Sequence, residues 1–168
     1  MCSSDLSEIC LGTMTWGGKG FWQVIGDLGL ESVSGQLKTA FDAGVNFFDT
    51  ANVYHEGESE TLLGAGLRKL GVHRESVVLA TKVRGRMGPT ANEAGLSRKH
   101  ILASIDDSLR RLGTDYVDLY QVHGVDRVTP LEETVDALDA CVRAGKVRYV
   151  GFCNLPAWTA MKCLALAD

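Results

Sequence analysis

The chain has 168 residues, of which 45% are apolar and 23% are charged. This composition excludes a disordered polypeptide and allows one domain with a hydrophobic core. Its formal net charge of −4 and its scattered Lys and Arg residues argue against a nucleic-acid-binding protein, so we expect a small-molecule partner.

No stretch of the chain has the roughly 20 consecutive apolar residues of a membrane span. The first residues also lack the basic-then-apolar pattern of a signal peptide, so we expect a cytoplasmic protein without a membrane partner. The cysteines show neither a Cys-x-x-Cys pair nor the paired spacing of a zinc site, which predicts reduced thiols and no bound metal. These cysteines are Cys2, Cys10, Cys141, Cys153 and Cys163.

Short β-branched or aromatic runs alternate along the chain with longer segments of helical period. This alternation is typical of a parallel sheet with helical crossovers, and thus of an α/β fold. The predicted strands lie near residues 9–13, 45–49, 77–82, 116–122 and 147–152. Glycines between helical segments and strands suit left-handed helix ends at αβ turns. They are Gly44, Gly71, Gly113 and Gly145.

Two helices have the clearest boundaries. The first is predicted over 98–112 with Ser97 as its N-cap, and the second over 130–144. In the second, Thr129 is the expected N-cap, Pro130 the first helical residue, and Glu132 the partner of Thr129 in a capping box. The predicted buried stripes are Ile101, Ile105, Leu109 and Leu112 in the first helix, and Leu131, Val135, Leu138 and Val142 in the second.

Polar residues end four of the predicted strands: Asp49, Lys82, His123 and Asn154. Tyr54 follows Asp49 in the next loop. Because the carboxyl ends of parallel strands share one rim, we expect these side chains to converge there. Lys82 ends an apolar run and must either extend its ammonium group to solvent or find a buried partner, for which Asp49 is the candidate. A purely stabilising ion pair is the alternative interpretation.

Four segments resemble the aldo-keto reductases: Gly-Val-Asn-Phe-Phe-Asp-Thr-Ala-Asn-Val-Tyr at 44–54, Leu-Ala-Thr-Lys at 79–82, Asp-Tyr-Val-Asp-Leu-Tyr-Gln-Val-His at 115–123, and Val-Gly-Phe-Cys-Asn at 150–154. The resemblance implies a (β/α)8 TIM barrel. A complete barrel takes about 250 residues. We therefore expect residues 1–168 to form a single partial barrel domain, truncated after about five βα units. Residues 1–6 resemble an adapter-encoded leader, and a non-native start is a further hypothesis.

The resemblance implies reduction of an aldehyde or ketone to an alcohol by hydride transfer from NADPH, with NADH as the alternative cofactor. Tyr54 would donate a proton to the carbonyl oxygen, and a nearby Lys82 ammonium would favour release of that proton. Asp49 would hold Lys82 in place and lie near the cofactor. His123 would hydrogen-bond the substrate oxygen.

The family pattern also places Asn154 and residue 153 at the nicotinamide carboxamide. The usual serine is replaced by Cys153, whose thiol forms weaker hydrogen bonds. Trp16, in the first strand-to-helix loop, is expected to form a wall of the substrate pocket, with a surface or core position as the alternative.

Three other functions remain open from the sequence. The first is a Schiff-base aldolase with Lys82 as nucleophile. The second is a cofactor-binding regulatory subunit, because the run at 97–101 occurs in relatives that pair with ion channels as well as in bacterial enzymes. The third is a non-catalytic fragment that self-associates through open sheet edges.

Overall fold

The computed structural model describes residues 6–167, which contain one five-stranded sheet. The strands are β1 (Cys10–Gly12), β2 (Phe47–Asp49), β3 (Val78–Val83), β4 (Val117–Val122) and β5 (Val147–Phe152). All neighbours pair in parallel, and their order in the sheet is their order in the chain. The predicted strands are confirmed to within about two residues at each end.

Five α-helices connect or follow these strands: α1 (Leu30–Asp42), α2 (Glu58–Lys69), α3 (Arg98–Leu112), α4 (Leu131–Arg143) and α5 (Ala157–Ala167). Each helix packs against the next helix in the chain. Since the strand order never reverses, right-handed crossovers place the helices on the same side of the sheet. The arrangement corresponds to five successive βα units of a truncated (β/α)8 barrel, as expected.

The ends of α3 follow the sequence closely. The Ser97 side chain accepts a hydrogen bond from the His100 backbone N–H at 3.3 Å, which confirms the predicted N-cap. The helix ends at Gly113, whose φ of 70° is left-handed. The other three predicted glycine stops are confirmed by the same geometry, because each has a φ between 66° and 80°.

The capping box predicted for α4 is wrong. Pro130 is the N-cap and no side chain caps the helix, which begins at Leu131. The Thr129 hydroxyl donates instead to Asp126 Oδ2 at 2.8 Å. That carboxylate also accepts the backbone N–H groups of Val128 in its own loop and of Leu96 in the loop before α3, so Thr129 is held before it can cap the helix.

The predicted buried stripe of α4 is only partly right. Leu138 is buried, Leu131 and Val135 are half-buried, and Val142 is exposed. The helix instead buries small residues, Ala137 and Cys141 among them. The predicted stripe lines an apolar cleft of about 960 Å³ between α4, β5 and α5. Periodicity identified the apolar face, but small residues allow closer packing and cover the neighbouring face.

The buried apolar residues form one core cluster, to which residues of α1 to α4 and of the sheet contribute. At the β5 edge, Tyr149 and Val150 are each 46% exposed. Within residues 6–167, no helix is long and apolar enough to cross a membrane. The hypothesis about residues 1–6 lies outside the described residues except for Leu6.

Candidate active site

The carboxyl ends of three neighbouring strands bring Asp49, Tyr54, Lys82 and His123 to one rim. Asp49 ends β2, and Tyr54 opens a 3₁₀ turn over Tyr54–Gly57 in the following loop. Lys82 is the last residue but one of β3, and His123 follows β4 directly. Because these strands are hydrogen-bonded neighbours, their ends lie side by side.

Lys82 is the best-connected residue of this rim. Its side chain is only 7% exposed, and its Nζ forms an ion pair with Asp49 Oδ2. The same ammonium donates to Thr50 O at 2.9 Å and to the Tyr54 hydroxyl oxygen at 3.3 Å. Three oxygen partners match the three N–H donors of an ammonium group, which makes a buried lysine tolerable here.

Asp49 has a second partner that sequence reasoning missed. Its Oδ1 accepts a hydrogen bond from Gln121 Nε2 at 3.1 Å. Gln121 pairs in register with Lys82, so the two side chains lie on the same face of the sheet. The alternation of β4, counted back from His123, could have placed Gln121 on this face.

Tyr54 is nearly buried, with 8% of its surface accessible. Its ring centroid lies 5.0 Å from Lys82 Nζ and 5.6 Å from the His123 ring centroid, the two rings meeting edge to face at 79°. The structure thus brings Asp49, Tyr54, Lys82 and His123 into one cluster.

The two tryptophans near the rim have different environments. Trp16 is fully buried, and its indole N–H donates to Gln36 Oε1 at 2.6 Å. Trp22 lies edge to face against Tyr54, with ring centroids 5.5 Å apart. The core position considered for Trp16 is therefore the one observed, and Trp22 is the aromatic residue that contacts the site. A role for Trp16 in substrate binding stays a prediction.

The backbone after Tyr54 is strained. His55 and Glu56 have φ values of 49° and 57°, a left-handed conformation unusual for residues other than glycine. The His55 ring is fully buried, and its Nε2 lies 3.0 Å from Met14 O as a hydrogen-bond donor. That bond ties the turn to the loop after β1, so the turn presents Tyr54 to Lys82 in a fixed position.

The surroundings of His123 favour its neutral form. Burial lowers its pKa below the ordinary 6.5, and the positive charges of Lys82 and Arg84 lower it further, against a smaller opposing effect of Asp49. A neutral imidazole carries one N–H, which is able to donate a hydrogen bond to a substrate oxygen.

The strand end after β5 carries Cys153 and Asn154. Burial raises the pKa of the Cys153 thiol, which therefore stays protonated at neutral pH. Asn154 adopts a left-handed φ of 55°, and its Nδ2 donates to Cys153 Sγ at 3.4 Å. Together with His123, Asn154 lines an open cavity of about 760 Å³. The Asn154 carbonyl and remaining N–H can bind an amide group there.

No group of three or more His, Cys, Asp or Glu side chains within residues 6–167 is placed to hold a metal ion. The four cysteines of that range are unpaired. The contacts among Tyr54, Lys82 and His123 suit proton transfer and hydrogen bonding.

Comparison with known proteins agrees with this geometry. The family model described as "Aldo/keto reductase family" matches residues 8–168. The chain belongs to the aldo/keto reductase family. A protein described as an aryl-alcohol dehydrogenase from Schizosaccharomyces pombe is 38% identical over 87% of the chain, and versiconal hemiacetal acetate reductase from Aspergillus parasiticus is 36% identical over 91%. A probable voltage-gated potassium channel subunit beta from Oryza sativa subsp. japonica is 43% identical over 79%.

These alignments cover 47%, 49% and 40% of the three relatives. This aldo-keto reductase chain thus spans about half the length of the curated relatives it matches, and the matched half contains the Asp49, Tyr54, Lys82 and His123 cluster.

Proposed function

We propose that the chain carries the catalytic site of an NADPH-dependent reductase that converts an aldehyde or ketone to an alcohol, with NADH as the alternative cofactor. One observation carries the proposal: the Tyr54 hydroxyl lies 3.3 Å from a buried ammonium, Lys82, that is itself paired with Asp49. A phenol beside a fixed cation is a suitable proton donor, because the cation stabilises the phenolate left behind.

Each residue of the cluster has a separate part in this reaction. Tyr54 gives its proton to the carbonyl oxygen, and Lys82 stabilises the charge that remains. His123 donates a hydrogen bond to the same oxygen and orients it. Asp49 positions Lys82 and balances its charge. The nicotinamide supplies the hydride when it is bound.

The residues after β5 fit the amide end of a nicotinamide. Asn154 lies at the cavity with His123, and its side chain can both donate to and accept from a carboxamide. The Cys153 thiol offers a weaker contact. We assign cofactor contacts to Asp49, Cys153 and Asn154, and a substrate contact to Trp22. The substrate contact predicted for Trp16 stays a sequence-based prediction, since its side chain is fully buried.

The test is a titration of the purified chain with NADPH, followed by cofactor fluorescence, and then by assays with an aromatic aldehyde. We expect saturable binding, and we expect turnover that is lost in Tyr54→Phe while NADPH binding is kept. Turnover that survives Tyr54→Phe contradicts the assigned proton donor. Borohydride trapping of a carbonyl compound on Lys82 would instead support the aldolase alternative.

A second candidate function is a cofactor-binding regulatory subunit. It is favoured by the similarity to the potassium channel subunit beta from Oryza sativa over 79% of the chain. A chain with this function would bind NADPH without sustained turnover. Single-turnover and steady-state rates on the same preparation separate the two: a reductase gives repeated turnovers, whereas a redox-sensing subunit stops after one.

A third proposal concerns the isolated chain. Tyr149 and Val150 at the β5 edge are about half exposed, and α5 exposes Trp158 and Met161. Open apolar edges favour self-association or a non-catalytic fragment. Size-exclusion chromatography that gives a compact monomer with a cooperative melt would contradict this proposal. We also propose a single partial barrel domain, a cytoplasmic location, and no nucleic-acid partner.

A further inference from the structure

Positive charge is concentrated in the cavity beside His123. Three of the residues that line it are arginines, Arg84, Arg86 and Arg127, whereas a single carboxylate, Asp126, lines it. This local excess contrasts with the formal net charge of −4 for the whole chain. Composition alone therefore does not account for the cluster.

The one carboxylate of the cavity already accepts hydrogen bonds from its own loop and from the loop before α3. Asp126 Oδ2 accepts from Leu96 N at 2.7 Å and from the Thr129 hydroxyl at 2.8 Å, and Oδ1 accepts from Val128 N at 2.9 Å. Burial alone raises its pKa, but these hydrogen bonds outweigh burial and hold the pKa below its usual value. Asp126 is thus ionised and offsets one of the three positive charges, but it forms no ion pair with them among the described residues.

Arg84 is the arginine whose position relative to His123 is best defined. It comes two residues after Lys82, and its Nε donates to Val125 O at 2.8 Å. A Cβ atom added at Gly124, directly after His123, would lie 3.5 Å from Arg84 Cδ and 3.7 Å from Nε. The guanidinium stem therefore lies beside the backbone next to His123, at the distance of an ordinary van der Waals contact.

The Nε bond uses one of five guanidinium N–H donors, and no second bond of this group is found among residues 6–167. Arg84 also has a φ of 152°, a strained value for a residue with a side chain. Arg86 is held differently, since its Nη1 donates to Gly88 O and Thr90 O within its loop. Arg127 is exposed and also lines the cavity.

We infer that this cavity selects carbonyl substrates that carry a carboxylate or another anionic group, with Arg84 as the specificity-determining residue. This inference rests on the proposed function, and it adds a substrate class to that function. A planar guanidinium binds a carboxylate through two parallel hydrogen bonds, and Arg84 offers them beside the imidazole that orients the carbonyl. Arg127 adds a second positive charge, so the anionic end of the substrate lies away from Tyr54.

The test compares two aldehydes that differ in one charge, 4-formylbenzoate and its neutral methyl ester. Their dissociation constants for the 168-residue chain are measured by calorimetry at low ionic strength. We expect the carboxylate to bind about tenfold more tightly than the ester, the size of one partly exposed charge-assisted pair. Equal binding of the two aldehydes overturns the inference.

Arg84→Gln should remove most of the tenfold preference, and Arg127→Gln should remove a smaller part of it. The matched control is Arg110→Gln, because Arg110 is exposed on α3 away from the cavity. Arg84 is exposed and makes one hydrogen bond, so its variant should keep the melting temperature of the parent. A preference that survives in both cavity variants overturns the inference.

A further measurement separates the substrate from the cofactor phosphates as the source of the anion. Arg84→Gln should leave the NADPH dissociation constant unchanged; weaker NADPH binding with an intact aldehyde preference overturns the inference. Tyr54→Phe should keep the preference for the carboxylate over the ester, whichever of these results Arg84→Gln gives. If the preference is present but neither aldehyde is reduced, the proposed function fails while the anion site stands.

Discussion

Two buried ion pairs lie on opposite faces of the same strand, and they differ in what surrounds them. Lys82 points to the inner face and pairs with Asp49, whereas its neighbour Thr81 points to the helices and donates to Glu60 at 2.5 Å. Glu60 is fully buried and accepts from Arg111 Nε at 2.6 Å. Because side chains alternate along β3, Lys82 contributes to the candidate active site and Thr81 to a structural network on the other face.

The two ion pairs differ in the chemistry of the side chains around them. The hydrogen-bond partners of Glu60 are Thr81 on β3 and Arg111 on α3, so its carboxylate stabilises the packed layer of α2, β3 and α3. Lys82 also contacts the Tyr54 hydroxyl, which reaches the His123 side of the rim. A buried charge therefore becomes a candidate catalytic group when one of its partners is itself able to exchange a proton.

The largest expected effect comes from Tyr54→Phe on the inner face. Removing the proton donor should lower the rate of aldehyde reduction by about 10³-fold, the usual contribution of general acid catalysis. Stability should change little, because the hydroxyl makes one long contact with Lys82. Steady-state kinetics and urea unfolding measure the two quantities.

Tyr120→Phe is the matched control, since Tyr120 lies on the helical face of β4 and donates to Ile101 O at 3.4 Å. It should lower the free energy of unfolding by about 1 kcal/mol and leave the rate unchanged. Equal kinetic losses in the two variants would contradict the separation of the faces.

The second prediction concerns the ion pairs themselves. Glu60→Gln should lower the free energy of unfolding by about 3 kcal/mol, because it leaves the Arg111 guanidinium without a counter-charge in the helical layer. Lys82→Met should change stability by no more than about 1 kcal/mol, since the Asp49 side chain is 25% exposed and keeps its bond to Gln121. Urea denaturation gives both values. A larger loss in Lys82→Met would show that this pair is mainly structural.

The strand pattern and the strand-end residues made most of the site predictable. Parallel strands place their carboxyl ends on one rim, so Asp49, Lys82 and His123 had to come close once five strands were identified. Tyr54 was harder to place, because its position depends on the strained turn at His55 and Glu56, which no local propensity predicts. The family motif supplied it.

The residues that the sequence did not identify are those that act through side-chain packing. Gln121 contacts Asp49 only because β4 and β3 pair in a particular register, and Trp22 reaches Tyr54 only through the fold of the loop after β1. The predicted N-cap of α4 is wrong for a similar reason, since the Thr129 hydroxyl donates to Asp126 in the preceding loop. Such contacts depend on three-dimensional competition between partners.

The third prediction uses two histidines with lowered pKa values. Burial lowers the pKa of both His100 and His123, but the Lys82 charge contributes only at His123. Lys82→Met should therefore raise the pKa of His123 and leave that of His100 unchanged, as followed by imidazole resonances in NMR. A parallel shift of both resonances would contradict this assignment.

The same lowered pKa values predict a pH dependence of stability. Each histidine binds a proton more weakly in the folded chain than in the unfolded chain, where the pKa is near 6.5. The stability is therefore complete above pH 6.5 and decreases as the pH falls through the folded-state pKa values. His123→Gln should reduce this acid slope, and the residual slope should report His100.

The smallest expected effect concerns Gln121, which contacts the cluster of Asp49, Tyr54, Lys82 and His123 through Asp49. Gln121→Leu removes the Nε2 hydrogen bond to Asp49 Oδ1 but leaves the ion pair of the other oxygen with Lys82. The rate of reduction should fall about fivefold, equivalent to a single hydrogen bond of about 1 kcal/mol. Gln121→Glu places a second carboxylate beside Asp49 and should reduce the rate further. If Gln121→Leu behaves as the parent does in kinetics, then Lys82 alone holds Asp49, and Gln121 has no part in the reaction.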